Sequence, residues 1–359
     1  MVLMKFNSIQ KEILCGALKN PDMSVKELAD FLDMNYWTVY KSLEKMKKEG
    51  VYREVIIPDF HSLGFELLVV GYGSLNKKKM NNLQKVKNIR DYPPFSSGIF
   101  YSFAESYRGF VIAVSKNFTE VFKGLIYAER LIKVREFLQT ENTRMIIFPF
   151  ELTEIPMFFD YAPLICKDFN IEMEGWTKNS EKKEPLKGKE FDVLLQLVKN
   201  PANTVSSIAR YTGLSQQSVS KIKSKLFKQG WLSRKIIPNL AKIGYDVLVF
   251  AHWTSNPDPM EKLKRKDLRK FGYDLSNIVF AAYNSLEGVA LAPFKTLKES
   301  RDIVSFFEKL GEETGVLTKE PNILFLSLQE GIKIKDHVYY PILRSFISSR
   351  AIRTSKATP

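Results

Sequence analysis

Two segments of the chain place basic and hydrogen-bonding side chains on one face of an amphipathic helix. In residues 216–229 the apolar residues Val219, Ile222 and Leu226 recur every three or four positions, as on the buried side of a helix. Amide and hydroxyl groups between them can hydrogen-bond to base edges in a DNA major groove, and ammonium groups can contact phosphates. This segment and residues 36–49 therefore predict two DNA-binding helices.

The candidate DNA-binding residues lie on these helices, at the positions that cap them and on the β-branched segments that follow. In the second half of the chain they are Ser215, Gln216, Gln217, Ser218, Ser220, Lys221, Lys225, Arg234 and Lys235. In the first half they are Asn35, Tyr36, Trp37, Tyr40, Lys41, Lys45 and Arg53. Because the two sets differ at most exposed positions, the chain is expected to recognise two unlike half-sites of double-stranded DNA.

Motifs for enzymatic chemistry are absent from the sequence. The two cysteines (Cys15 and Cys166) and the three histidines (His61, His252 and His337) are too few and too far apart for a zinc site. No glycine-rich phosphate loop, zinc-protease motif or nucleophile elbow occurs. The sequence therefore predicts a protein that is not an enzyme and that has no catalytic residue, metal or cofactor.

The chain is an internal duplication with a shift of 180 residues. The sequence Lys-Asn-Pro at 19–21 recurs at 199–201, and Ile-Ile-Pro at 56–58 recurs at 236–238. Without a gap, residues 19–70 and 199–250 are identical at 16 of 52 positions. Each copy is thus expected to form the same unit of about 180 residues.

Each copy begins with three helical patterns and a β-branched segment. In the first copy Ser24 and Glu27 form a capping box, Asn35 caps the third helix and Gly50 ends it. The β-branched segment ending at Pro58 is interpreted as a short hairpin, or wing. Together these patterns predict a winged helix-turn-helix.

Each copy then continues with a βαββαβ pattern, which is the ferredoxin-like arrangement. The fold class is therefore α+β, with two tandem units whose sheets are expected to pack on each other as a pseudo-dimer. Short C-terminal helices are expected near Pro163 and Pro341. The predicted domains are winged helices at 1–60 and 187–240, ferredoxin-like domains at 64–170 and 244–350, a linker at 171–186 and a flexible tail at 351–359.

This succession resembles the leucine-responsive regulator family (Lrp/AsnC), in which the ferredoxin-like part is called a RAM domain. The resemblance is carried by residues 38–59 and 219–239, each followed by a glycine and a hydrophobic strand. It implies a cytoplasmic, prokaryotic transcription regulator with room for a small-molecule effector at the sheet interface. The family's effector-site Asp is missing, since Gly109 is followed by Phe110 and Gly288 by Val289. Whether two pseudo-dimers associate is left open.

Charge is distributed unevenly between the copies. Residues 1–180 contain 24 Lys+Arg and 22 Asp+Glu, a net charge of +2, whereas residues 181–359 contain 30 and 18, a net charge of +12. A strongly basic half favours a polyanionic partner. No apolar run reaches 18 residues, so no membrane association is expected.

Two alternatives remain open at this stage. Tyr36, Trp37 and Tyr40 are apolar enough for the first winged helix to bind a protein instead, as part of an interaction scaffold. Siroheme decarboxylases share the two-part architecture, and resemblance to them implies His and Arg near the sheet cavity. Arg108 lies in a predicted hairpin, but neither hairpin contains a histidine, and His252 falls on a predicted strand.

Overall fold

The computed structural model describes residues 4–74, 98–132, 143–172, 181–263 and 275–347. The helices are α1 (Ser8–Lys19), α2 (Val25–Phe31), α3 (Tyr36–Lys48), α4 (Phe118–Ile132), α5 (Ala162–Asp168), α6 (Lys189–Lys199), α7 (Val205–Thr212), α8 (Gln216–Lys228), α9 (Leu240–Ile243), α10 (Pro257–Lys262), α11 (Leu297–Ser300) and α12 (Asp302–Thr314). Residues 340–347 are also helical. The predicted helix at 77–91, half of the linker (173–180) and the tail lie outside the described residues.

The strands follow the same order in both copies. They are β1 (Tyr52–Pro58), β2 (Leu67–Ser74), β3 (Ile99–Glu105), β4 (Arg108–Ser115), β5 (Arg144–Pro149), β6 (Glu154–Phe158), β7 (Leu232–Pro238), β8 (Val247–Thr254), β9 (Phe280–Tyr283), β10 (Glu287–Phe294), β11 (Asn322–Ser327) and β12 (Ile332–Asp336).

Capping side chains start the helices of both helix-turn-helix units. Ser24 and Glu27 form the predicted capping box at α2, and the Asn35 side chain accepts a hydrogen bond from the backbone N–H of Trp37 at α3. Ser215 caps α8 in the same way, through the backbone N–H of Ser218. These bonds satisfy backbone donors that the first turn of a helix leaves free, so the local sequence fixes where each helix begins.

The β-branched segments do not form the hairpins that the sequence predicts. Instead β1 and β7 pair with each other as a two-stranded antiparallel ribbon. Val55 lies opposite Lys235, its equivalent in the second copy, so a pseudo-twofold axis crosses the ribbon there. The side chains of Arg234 and Glu54, which are also equivalent, form an ion pair. Each segment forms a single strand without a turn. Its backbone N–H and C=O groups are therefore hydrogen-bonded by the strand of the other copy.

Two five-stranded sheets complete the structure. Sheet one has the order β12-β3-β4-β2-β5 and sheet two the order β11-β8-β10-β9-β6. Four strands of each sheet have the ferredoxin-like order, and the fifth comes from the other copy. This exchange of β6 and β12 was not predicted from the sequence. The short helices expected after these segments are present as α5 and residues 340–347.

The two sheets pack through their inner faces. The ring of Phe250 in β8 lies 4.9 Å from that of Tyr72 in β2 and 5.1 Å from that of Phe110 in β4, measured between centroids. The outer face of sheet two is covered by α12, whose Phe306 and Phe307 are buried against it. The sheet interface is thus the common core of both copies.

Candidate active site

The inner face changes from aromatic to polar toward one end of the sheets. In sheet one, Arg144 lies opposite Tyr72 and Arg108 lies opposite Ser74. Directly opposed residues of neighbouring antiparallel strands point to the same side, so these side chains share the inner face. We call this region the polar end. Its residues are Tyr72, Ser74, Arg108, Arg144, His252, Glu287 and Asn322.

A chain of hydrogen bonds joins the two sheets at the polar end. The Tyr72 hydroxyl lies 2.8 Å from Nδ1 of His252, and Nε2 of His252 lies 3.2 Å from Oε2 of Glu287. All three groups are satisfied when Tyr72 donates to Nδ1 and Nε2–H donates to the Glu287 carboxylate. The His252 residue is 1% exposed, whereas the Glu287 side chain is 30% exposed. The chain therefore connects solvent with a buried hydroxyl.

The environment of Tyr72 keeps its hydroxyl protonated. Burial raises the pKa of Tyr72, the positive charge of Arg144 lowers it, and the negative charge of Glu287 raises it again, with burial the dominant cause. The phenol is therefore a proton donor rather than a phenolate at neutral pH. Both Arg108 and Arg144 are exposed at the mouth of this region, where their guanidinium groups can pair with carboxylates.

The polar end combines anion binding with proton transfer. Two guanidinium groups can hold a carboxylate, and the Tyr72–His252–Glu287 chain can deliver a proton beside it. Of these residues only Arg108 and His252 were considered from the sequence, and His252 was not recognised as part of a site. The missed signal was the duplication itself, since Tyr72 and His252 are 180 residues apart and occupy equivalent positions.

A second buried polar cluster lies where β12 meets β1. Nδ1–H of His337 donates to the Asp336 carboxylate at 2.7 Å, and the Arg53 guanidinium contacts the same carboxylate at 2.9 Å. Within the described part of the chain, Nε2 of His337 has no hydrogen-bond partner. Its ring packs against Phe159, with centroids 4.5 Å apart. The imidazole is therefore buried too deeply for a substrate to reach it.

We expect this cluster to make the fold sensitive to acid. Burial lowers the pKa of His337, although hydrogen bonding to Asp336 opposes the shift. The unfolded chain binds a proton at this imidazole below about pH 6.5 and the folded chain does not, so stability falls as the pH drops through that value. Phe159 and His337 each lie four residues before a proline, Pro163 and Pro341, so His337→Phe copies the first copy's residue and should flatten the loss of stability between about pH 7 and 5. Urea unfolding at a series of pH values measures this, and an unchanged slope would contradict it.

A cavity of about 560 Å³ lies elsewhere, between α5 of the first copy and α11 and α12 of the second. Lysines and carboxylates line it together, and Lys295 forms an ion pair with Asp168 across it. No histidine lines this cavity. It lacks the proton-transfer chain of the polar end, which is therefore the better candidate for a reaction site.

Four of the candidate DNA-binding cations, three on the ribbon and one on α8, take part in internal ion pairs. The ribbon brings together Arg53, Arg234 and Lys235, which pair with Asp336, Glu54 and Asp160, respectively. Lys225 pairs with Glu190 at 2.9 Å and with Glu184 at 3.5 Å. These four cations are partly neutralised by the protein's own carboxylates.

The remaining candidate residues lie on the surfaces of α3 and α8. Tyr36, Trp37 and Tyr40 form an exposed aromatic cluster with ring centroids 5.3 to 6.1 Å apart. The other exposed members are Lys41, Lys45, Ser215, Gln216, Gln217, Ser220 and Lys221. Asn35 and Ser218 take part in helix caps, through the bonds described above. Contacts of these residues with nucleic acid remain a prediction from the sequence.

The described residues contain no group of His, Cys, Asp and Glu side chains arranged to hold a metal ion. Among the same residues, no helix combines the length and apolar character needed to cross a membrane.

Comparison with known proteins gives similarity at the level of structure. No protein-family model matches the chain, and no curated protein matches it. The siroheme decarboxylase NirDL superposes over 97% of this chain and 100% of its own, with a TM-score of 0.53 and 14% identity. Its complex with an iron-uroporphyrin III analogue gives a TM-score of 0.52. A Neisseria meningitidis transcriptional regulator solved with L-Met and Escherichia coli AsnC match 41% and 40% of the chain, with TM-scores of 0.33 and 0.31.

This comparison corrects the functional prediction. The match over the full length is to an enzyme, whereas the Lrp/AsnC-type regulators match only part of the chain. The prediction of a non-enzymatic, DNA-binding transcription regulator is therefore wrong, and the decarboxylase alternative is the better supported one. At 14% identity the comparison shows a shared fold: this chain has the two-part architecture of NirDL.

Proposed function

We propose that the chain is a decarboxylase that removes a carboxylate from a tetrapyrrole substrate of the siroheme class. The observation that carries the proposal is the polar end, where Arg108 and Arg144 lie beside the Tyr72–His252–Glu287 chain. Resemblance to siroheme decarboxylases implies His and Arg near the sheet cavity. The structural relative NirDL was solved with an iron-uroporphyrin III analogue, which supports a tetrapyrrole as the substrate.

The proposed reaction needs no external oxidant or reductant. The bond between the carboxyl carbon and its neighbour breaks, and the carboxylate leaves as CO2. The electron pair stays on the neighbouring carbon, where the conjugated macrocycle of the substrate can delocalise it. That carbon then takes up a proton, so that R–COO⁻ and H⁺ give R–H and CO2. The protein must therefore hold one carboxylate and deliver one proton.

Arg108 and Arg144 supply the first of these roles. A guanidinium group presents parallel N–H donors that match the two oxygens of a carboxylate. Both groups lie on the same face and at the same end of sheet one as Tyr72. In the proposed complex they orient the carboxylate toward the Tyr72 hydroxyl.

The hydrogen-bonded chain supplies the second role. The Tyr72 hydroxyl gives its proton to the carbon, and His252 restores it from Nδ1. The Glu287 carboxylate accepts a hydrogen bond from Nε2–H at 3.2 Å and so orients the ring with Nδ1 toward Tyr72. His252 is then left neutral with its proton on Nε2, hydrogen-bonded to Glu287, and Nδ1 takes up a proton from solvent before the next cycle. In this proposal the small molecule expected at the sheet interface is the substrate.

Anaerobic incubation of the purified chain with siroheme tests the proposal. We expect CO2 release and a product lighter by the mass of CO2 for each carboxylate removed, seen by liquid chromatography and mass spectrometry. Absence of both CO2 and the lighter product, while siroheme binds, would overturn the decarboxylase assignment.

Removing either arginine charge should weaken substrate binding more than the chemical step. We expect Arg108→Gln and Arg144→Gln each to raise KM by about tenfold with a smaller change in kcat, since one charge-assisted hydrogen bond contributes about 1.5–3 kcal/mol at most. Arg210→Gln is the matched control, because Arg210 is exposed on α7, away from the polar end. An equal KM for all three variants would contradict the binding role.

A further inference from the structure

The two halves of the polar end are equivalent in backbone but different in chemistry. In sheet one, β2 pairs with β4 so that Ser74 opposes Arg108. In sheet two, β8 pairs with β10 so that Thr254 opposes Glu287. Ser74 and Thr254 are equivalent under the 180-residue shift, so Arg108 and Glu287 occupy the same place in their respective sheets.

The neighbouring ladders give a second pair of equivalent positions. Tyr72 opposes Arg144 in sheet one, and His252 opposes Asn322 in sheet two. Because Tyr72 and His252 are equivalent, Arg144 corresponds to Asn322. The first copy therefore presents two cations, whereas the second presents a carboxylate and an amide.

The divergence contrasts with the conserved apolar positions of the duplication. On the same strands the inner-face residues Leu68 and Leu248 are identical, and both are buried. At the polar end the pairs Tyr72/His252, Arg144/Asn322 and Arg108/Glu287 differ in chemistry, and in the last of them the charge is reversed. A symmetric duplication would form two like half-sites, each with its own anion-binding group and its own proton donor. Instead, the two arginines and the proton donor Tyr72 lie in the first copy, and the His252–Glu287 pair that is hydrogen-bonded to Tyr72 lies in the second.

We infer that each chain holds one composite site in which the first copy binds the substrate carboxylate and carries the proton donor Tyr72, and the second copy restores the proton of Tyr72 through His252 and Glu287. This inference rests on the proposed function. It follows that the site removes one carboxylate at a time. A substrate with two reactive carboxylates must rebind in a new orientation before the second is lost, so a singly decarboxylated intermediate should be released.

Binding stoichiometry tests the composite site without requiring turnover. The probe is iron-uroporphyrin III, titrated into the full chain and followed by its absorbance. We expect saturation at one probe per chain. Saturation at two equivalent probes per chain would overturn the inference, because it would show that each copy builds a site of its own.

A pair of charge-removing variants tests the division of roles. Arg108→Gln should weaken probe binding by about tenfold, whereas Glu287→Gln, at the equivalent position, should leave it within about twofold. Circular dichroism spectra like that of the wild-type chain are required of both variants, as a check that they are folded. Arg210→Gln is the control for loss of an exposed charge. Equal weakening by Arg108→Gln and Glu287→Gln would overturn the division of roles.

The same experiments separate failure of this inference from failure of the proposed function. One probe per chain with unequal effects of the two variants, but no CO2 from siroheme, would support the composite binding site and contradict the decarboxylase. CO2 release together with two equivalent sites would support the decarboxylase and contradict the composite site. No binding of the probe by the wild-type chain would contradict both.

Discussion

Replacing His252 with glutamine should slow CO2 release from siroheme by about 10²–10⁴-fold, the usual contribution of a positioned proton-transfer group. A glutamine side chain can still hydrogen-bond to Tyr72 and Glu287, but it cannot carry a proton between them. The hydroxyl of Tyr72 would then have no adjacent group to restore its proton after each turnover. Single-turnover measurements of CO2 release give this effect directly.

Substrate binding separates this loss of chemistry from a loss of structure. The Kd of the His252→Gln variant for siroheme should stay within about threefold of the wild-type value, since no charge that contacts a carboxylate is removed. His61→Gln is the matched control, because His61 is exposed and stacks on Phe150 outside the polar end. An unimpaired rate in His252→Gln would show that the proton comes from another group.

Replacing Phe250 with alanine should lower the free energy of unfolding by about 3–5 kcal/mol, as for other fully buried phenylalanines. Phe250 is 1% exposed, and its ring contacts Tyr72 and Phe110 of the other copy's sheet. The cavity would therefore open at the interface that joins the two copies. Urea unfolding followed by tryptophan fluorescence measures the change.

The matched control for this prediction is Phe122→Ala. The Phe122 side chain on α4 is 47% exposed, so its truncation should change the free energy of unfolding by less than about 1 kcal/mol. If the two variants lost similar stability, the interface between the sheets would not be the common core. If Phe250→Ala unfolded in two separate transitions, the interface would be what couples the copies.

Local features of the fold could be predicted from the sequence. The 180-residue shift gave the duplication, and the capping residues Ser24, Asn35 and Ser215 gave the starts of helices that the structure confirms. These features depend on residues close together in the chain, where side-chain hydrogen bonds and helical periodicity determine the structure.

Features that depend on distant partners could not be predicted in the same way. The segment at Tyr52–Pro58 has the composition of a strand, but its sequence does not indicate that it pairs with Leu232–Pro238. The exchange of β6 and β12 between the sheets could not be predicted for the same reason. A strand pattern in the sequence does not show which sheet the strand joins, or at which edge.

The candidate site was missed because its residues come from both copies. His252 looks like an ordinary strand residue in the sequence, and Tyr72, Arg144 and Glu287 belong to no short motif. Only the pairing of β2 with β4 and β5, together with the packing of sheet on sheet, places them at one end. The candidate residues of α3 and α8 drew attention instead because they are contiguous in sequence.

The most direct measurement is decarboxylation of siroheme in D2O by the wild-type chain, with the product examined by mass spectrometry. The proposed mechanism requires one CO2 released and one deuterium incorporated at the carbon that lost it. His252→Gln should lower both in parallel. Unchanged siroheme, or a lighter product without deuterium at that carbon, would contradict the assignment of the polar end as a decarboxylase site.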